Sequence, residues 1–195
     1  MKIKKEIREW GIMITLFGAL YFTGYYKDVA GFLQRMILET RLLQPNIIDD
    51  ENKVADYQFT LMDESGQQVD FSSFRGKTVF LNFWATWCPP CIAEMPDINA
   101  LHDEVKGKNI DFVMISLDDD FNTAKAFKTK KNYTFPVYTL VSKRPDVFAN
   151  QSIPTTFVIA PDGKIIAEKS GMAKYNTEDF RNFLITTSKN ETLVY

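Results

Sequence analysis

Cysteine is almost missing from this chain: there are two in 195 residues, and one histidine, His102. Two cysteines cannot build the disulfide lattice that staples small secreted domains. With the lone histidine they fall short of the roughly four ligands of a structural zinc site, and nothing repeats the cysteine pair. The sequence also lacks internal repeats and low-complexity stretches. It has no excess of positive charge, with 23 Lys and Arg against 25 Asp and Glu, and no basic stripe interleaved with aromatics, which argues against a nucleic-acid binder. What it has in quantity is apolar mass. Hydrophobic residues make up 45 % of the chain and 16 are Phe, enough to fill one core, and the length allows one domain plus appendages.

The two cysteines stand together. Thr78-Val79-Phe80-Leu81-Asn82-Phe83-Trp84 reads as a buried strand, and Trp87-Cys88-Pro89-Pro90-Cys91 follows it at once. A helix is expected to begin after Cys88, because proline is tolerated in a first turn whose N–H groups lack partners anyway. Cys88 then sits at a helix N-terminus, where the macrodipole and free N–H groups favour a thiolate. Cys91 lies one turn on, close enough to close a disulfide with it. Two unrelated structural cysteines would not need this spacing, and a static disulfide over so short a loop constrains the unfolded chain little. The pattern reads as a dithiol switch.

Charge is unevenly distributed. Residues 1–44 carry a net charge of +3 and the remainder −5. Lys2, Lys4, Lys5 and Arg8 precede residues 10–26, which hold no charge and are bounded by Trp10 at one end and Tyr21, Tyr25 and Tyr26 at the other. This is the short edge of a membrane-spanning length with an aromatic belt, and the basic flank predicts the N-terminus inside and the body outside. A cleaved signal peptide, an uncleaved anchor and a buried helix are the competing readings. Phe22-Thr23-Gly24 is a poor small-x-small cleavage site, which favours the anchor. Residues 28–44 carry a second helical pattern, with Val29, Phe32, Leu33, Met36, Ile37, Thr40 and Leu43 on one stripe. That helix fits a membrane interface, a continuation of the span, or packing on the body. The expected organisation is an anchor over 1–27, an amphipathic helix and polar linker over 28–53, and one domain over 54–195.

Within that domain, strands are expected over 57–62, 68–70, 78–84, 110–117, 136–141, 155–160 and 164–167. Pro161-Asp162-Gly163 is the turn of the last pair. Helices are expected over 89–105, with a kink at Pro96, and over 121–131 and 177–188. Asp118-Asp119-Asp120 reads as a solvated strand end rather than a metal site. Strands alternating with helices and closed by a hairpin and a helix give a three-layer α/β domain with a mixed sheet.

With strand, Trp-Cys-Pro-Pro-Cys and helix in place, the body resembles the thioredoxin fold, and most of all its membrane-anchored TlpA, ResA and DsbE branch. The matching segments are Phe71–Lys77, Leu81–Cys91, Pro96 and Ile153-Pro154-Thr155-Thr156-Phe157, while residues 110–140 are similar to the insertion shared with peroxiredoxin-like relatives. Asn82 stands where thioredoxin has a buried aspartate, and Glu94 matches the acid that this branch carries just after its cysteine pair.

The resemblance implies a thiol-disulfide oxidoreductase acting outside the cytoplasm as a protein-disulfide reductase, for example on apocytochrome c. The expected roles are Cys88 as nucleophile, Cys91 as resolving thiol and redox partner, Glu94 as proton carrier for Cys91, and Trp87, Ile153 and Pro154 as the substrate-binding surface. Glu94 is three residues from Cys91, so both can face one side of the helix. An Ile153-Pro154 bond in a tight turn can be cis, presenting the backbone beside the cysteines. Trp84 is the better core residue and Trp87 the better surface candidate, and His102 reads as structural or exposed. No cofactor or metal is expected. The expected partners are protein disulfides, a membrane electron donor for re-reduction, and the bilayer through the N-terminal helix. Two rivals remain: a thiol peroxidase of peroxiredoxin type, and a membrane-tethered metallochaperone or docking module without catalysis.

Overall fold

The computed structural model describes residues 8–11, 15, 46–47, 53–149 and 152–189. Most of the expected span at 10–26, the helical stretch 28–44 and nearly all of the polar linker lie outside the described residues. Among the described residues no helix is long and apolar enough to cross a membrane.

In chain order the elements are β1 (Asn46–Ile47), β2 (Thr60–Met62), β3 (Gln68–Asp70), a 3-10 turn (Phe71–Phe74), β4 (Thr78–Trp84), α1 (Pro89–Glu104), β5 (Ile110–Ser116), α2 (Phe121–Lys131), β6 (Val137–Leu140), a second 3-10 turn (Asp146–Phe148), β7 (Thr155–Ile159), β8 (Ile165–Ser170) and α3 (Glu178–Lys189). The strands form one mixed sheet in the order β1-β8-β7-β4-β5-β6-β2-β3. β4 runs parallel to β5, and β5 to β6, while β7 and β8 are antiparallel additions on the other side of β4.

Every residue of β4 is buried, which is why it reads as an unbroken apolar run rather than an alternation. Its side chains still divide by parity. Phe80 and Trp84 join Cys91, Met95 and Ile98 of α1 and Phe180 and Leu184 of α3 in one apolar cluster. Val79, Leu81 and Phe83 join Phe59, Phe71 and Phe148 in another. Asn82 shares parity with Phe80 and Trp84, so a polar side chain enters the α1 side of the core.

The expected elements form, with shifted ends. The strand expected over 57–62 pairs only from Thr60. Tyr57 and Phe59 instead stack on Phe71, at centroid distances of 5.3 and 4.3 Å, so their apolar character reflects burial and not ladder pairing. Pro96 lies inside α1, which runs on through it. β1 was not expected. Asn46 pairs opposite Glu168 and Ile47 opposite Ala167 at the sheet edge, and two residues carry no legible pattern of their own.

Candidate active site: a disulfide at the start of a helix

Cys88 and Cys91 form a disulfide, their Cα atoms 5.3 Å apart. The fold places it at the C-terminal end of β4, the edge where α/β sheets put their sites. Cys88 is the N-cap of α1, with extended backbone (φ −99°, ψ 101°). Its sulfur accepts the N–H of Cys91 at 3.3 Å. Pro89 and Pro90 occupy the first two helical positions and have no N–H to offer, so that single amide is the first-turn donor to the sulfur. Cys88 is 4 % exposed and Cys91 is fully buried. Of the two cysteines, Cys88 is the more accessible.

Two expected surface groups flank it. Trp87 is 57 % exposed, an unusual state for so large an apolar side chain. Trp84 is wholly buried, in contact with Phe127. The Ile153-Pro154 bond is cis, and the carbonyl oxygen of Ile153 lies 3.7 Å from Cys88 Sγ. The turn before β7 and the start of α1 are thus brought together across 65 residues of chain.

Behind the disulfide, Glu94 is fully buried. Asn82 Nδ2 donates to its Oε1 at 3.0 Å and the Ala173 N–H to its Oε2 at 3.3 Å. Burial, the dominant cause, pushes the carboxyl up to about 8 against its ordinary 4.5, and the two hydrogen bonds only partly offset it. The polar chain continues inward: Asn82 Nδ2 also donates to Thr156 Oγ1 at 2.9 Å, and the Tyr175 hydroxyl donates to the same oxygen at 2.7 Å. Burial first and the Glu94 charge second hold the Tyr175 hydroxyl well above the usual phenol range. Asn82 Oδ1 is buried without a partner. The amide orientation follows from its neighbours: as placed it suits an ionised Glu94, and turned over it would accept the proton of the neutral acid.

One expectation fails at a single residue. Asp118 is not part of a solvated strand end. Asp118 is 9 % exposed, and its carboxylate accepts the Thr86 N–H at 3.1–3.2 Å, the Thr86 hydroxyl at 2.6 Å and the Ser116 hydroxyl at 2.8 Å. Asp120 caps α2 by accepting the Asn122 N–H at 2.9 Å. Asp119, like Asp120, lies exposed, as expected. The missed signal was register: Trp84 pairs with Ser116 in the parallel ladder, so the residues two further on, Thr86 and Asp118, end side by side. Tyr175 and Ala173 had no such signal, because they reach the site from a loop after β8. His102 is partly buried, with Nδ1 3.0 Å from Thr134 Oγ1 and its ring edge-on to Phe112.

Comparison with known proteins agrees with this geometry. Residues 51–168 match the model of the AhpC/TSA family. The chain is 32 % identical to the thiol-disulfide oxidoreductase ResA of Bacillus thuringiensis over 82 % of its own length and 84 % of that protein's. The chain belongs to the thioredoxin-like AhpC/TSA family, in its TlpA/ResA/DsbE-type branch. A second member, ResA of Bacillus subtilis, is 30 % identical over 89 % of this chain and 90 % of its own. A solved structure from Chlorobium tepidum, assigned as a thiol:disulfide interchange protein of DsbE type, superposes with a TM-score of 0.60. It is 26 % identical and covers 69 % of this chain and 97 % of its own. The branch is one of thiol-disulfide oxidoreductases, and this chain carries the paired cysteines that such exchange requires.

Proposed function

We propose that the protein works as a reductase of selected protein disulfides outside the cytoplasm, held at the cytoplasmic membrane by an uncleaved helix within residues 1–27 with its N-terminus inside. The observation that carries the direction is the first turn of α1. With Pro89 and Pro90 giving no amide, one N–H faces the Cys88 sulfur. The thiolate is stabilised modestly, which favours a reducing couple over a strongly oxidising one. The basic flank and the uncharged, aromatic-bounded residues 10–26 support the anchor and its orientation.

The reaction then runs in balanced steps. The Cys88 thiolate attacks one sulfur of a substrate disulfide, forming a mixed disulfide and releasing the other substrate sulfur as a thiolate. Glu94 takes the proton of Cys91. The Cys91 thiolate attacks Cys88 Sγ, closes the Cys88–Cys91 bond and releases the second substrate sulfur. Two electrons pass to the substrate, and a membrane electron donor returns the protein to the dithiol. A Glu94 that holds its proton near neutral pH in the oxidised state is what this sequence leaves behind, and the same proton returns to Cys91 on re-reduction. Trp87 and the Ile153 backbone before Pro154 form the docking edge, where an extended peptide pairs beside Cys88. A suitable substrate is the CxxCH disulfide of an apocytochrome c, two cysteines at the same spacing as the Cys88–Cys91 pair.

The test is direct. The reduced full-length protein in detergent should reduce an oxidised CxxCH peptide stoichiometrically, with a potential near thioredoxin at about −270 mV. A potential near the strong oxidants, at about −120 mV, reverses the direction. Cell fractionation should recover the intact chain with the membrane, and a soluble form lacking the first residues contradicts the anchor. Turnover of hydrogen peroxide at rates exceeding those with the peptide would favour the peroxidase reading.

A further inference from the structure

The loop that leads to the cysteines is held by a carboxylate that the exchange steps leave idle. Asp118 is almost fully buried and receives four neutral donor contacts, three of them from Thr86. Neither of these partners, Thr86 and Ser116, is a cation. A buried carboxylate satisfied only by neutral donors is costly to keep, and what it holds is a single residue of the active-site loop. Thr86 stands between the end of β4 and the exposed Trp87, and the Cys88 N–H also closes the loop by donating to the Ala85 carbonyl at 3.2 Å. The base of the clamp is tied into the sheet. Ser116 closes β5, its hydroxyl donates to Asp118 at 2.8 Å and accepts the Asp118 N–H at 3.1 Å, and the Leu117 N–H donates to the Trp84 carbonyl at 2.8 Å. Cys88 is held separately, by the cap of α1.

We infer that Asp118 is a positioning residue for substrate docking: by clamping Thr86 it fixes the loop that presents Trp87 beside Cys88, so that a peptide disulfide meets an ordered surface. This rests on the reductase reading above. A docking surface ordered in advance saves the cost of ordering it on binding. The clamp therefore acts on substrate affinity, while the chemistry at the sulfurs, set by α1 and Glu94, is left in place.

The experiment is single-turnover reduction of an oxidised CxxCH peptide by the reduced full-length protein in detergent. The half-saturating peptide concentration and the maximal rate are read separately for wild type, Asp118→Asn, Thr86→Val and Thr86→Ser. Asp118→Asn and Thr86→Val should each raise the half-saturating concentration about tenfold, the scale of one lost charge-assisted contact, with the maximal rate changed less than twofold. The two together should cost less than the sum of the two alone, because the lost charge and the lost hydroxyl weaken the same contact. Thr86→Ser, which keeps both donors, should restore the wild-type concentration. If the variants melt at lower temperature but keep wild-type half-saturation, the clamp is structural only and the inference fails. If the maximal rate falls instead, Asp118 acts on the chemistry and the inference is equally wrong. If wild type itself does not reduce the peptide, it is the reductase reading that fails.

Discussion

Glu94 is the residue whose environment says most about the chemistry. Its ordinary value is 4.5 and burial takes it to about 8 in the folded protein. The native state therefore binds this proton more tightly than the unfolded chain. The stability it contributes is complete below pH 4.5 and is lost as the pH rises through about 8. Inside that window the loss approaches about 1.4 kcal/mol per pH unit. Oxidised wild type should show a denaturation midpoint that falls from pH 5 to pH 8, and Glu94→Gln should flatten the curve over the same range. Equal slopes in the two proteins would mean that Glu94 ionises normally, and its part in proton transfer would go with it. The unpartnered Oδ1 of Asn82 belongs to the same account. A group that must serve both an acid and its conjugate base cannot be fully satisfied by one fixed orientation.

At the scale of the element, α1 turns sequence into reactivity. Cys88 caps it, two prolines open it, and Cys91 and Glu94 follow on its buried face. Pro90→Ala should give the Cys88 sulfur a second amide donor. Stabilising the thiolate stabilises the reduced form, so the potential should move towards oxidising values by about 30 mV, the worth of roughly 1.4 kcal/mol. Equilibration with a glutathione or dithiothreitol couple measures it. An unchanged potential would show that the prolines do not set the donor count at the sulfur. This helix was legible beforehand because proline and cysteine have sharp local rules. The carboxylate of Asp118 was not, since its meaning depends on the parallel register of β4 and β5, and a run of three aspartates after a strand looks like any solvated turn. Nor were Tyr175 and Ala173, which come from a loop with no periodicity. Local chemistry was written in neighbouring residues, whereas the polar network that supports it comes from residues far apart in the chain.

For the whole molecule, the sheet order explains why the site can work at all. β4 lies between a parallel and an antiparallel neighbour, so its end carries α1 on one side while the Ile153-Pro154 turn before β7 arrives on the other. One cysteine keeps a slight exposure, next to Trp87 in the chain and with its sulfur near the Ile153 carbonyl, and the second is fully buried. That asymmetry is the central claim: Cys88 meets the substrate, and Cys91 only resolves. The most direct measurement replaces the resolving thiol in full-length protein expressed in cells, Cys91→Ser, and looks for mixed disulfides on non-reducing gels. The account predicts adducts through Cys88 that disappear on reduction and in the Cys88→Ser/Cys91→Ser double variant. Absence of any adduct with Cys91→Ser, or adducts forming instead through Cys91 in Cys88→Ser, would contradict it.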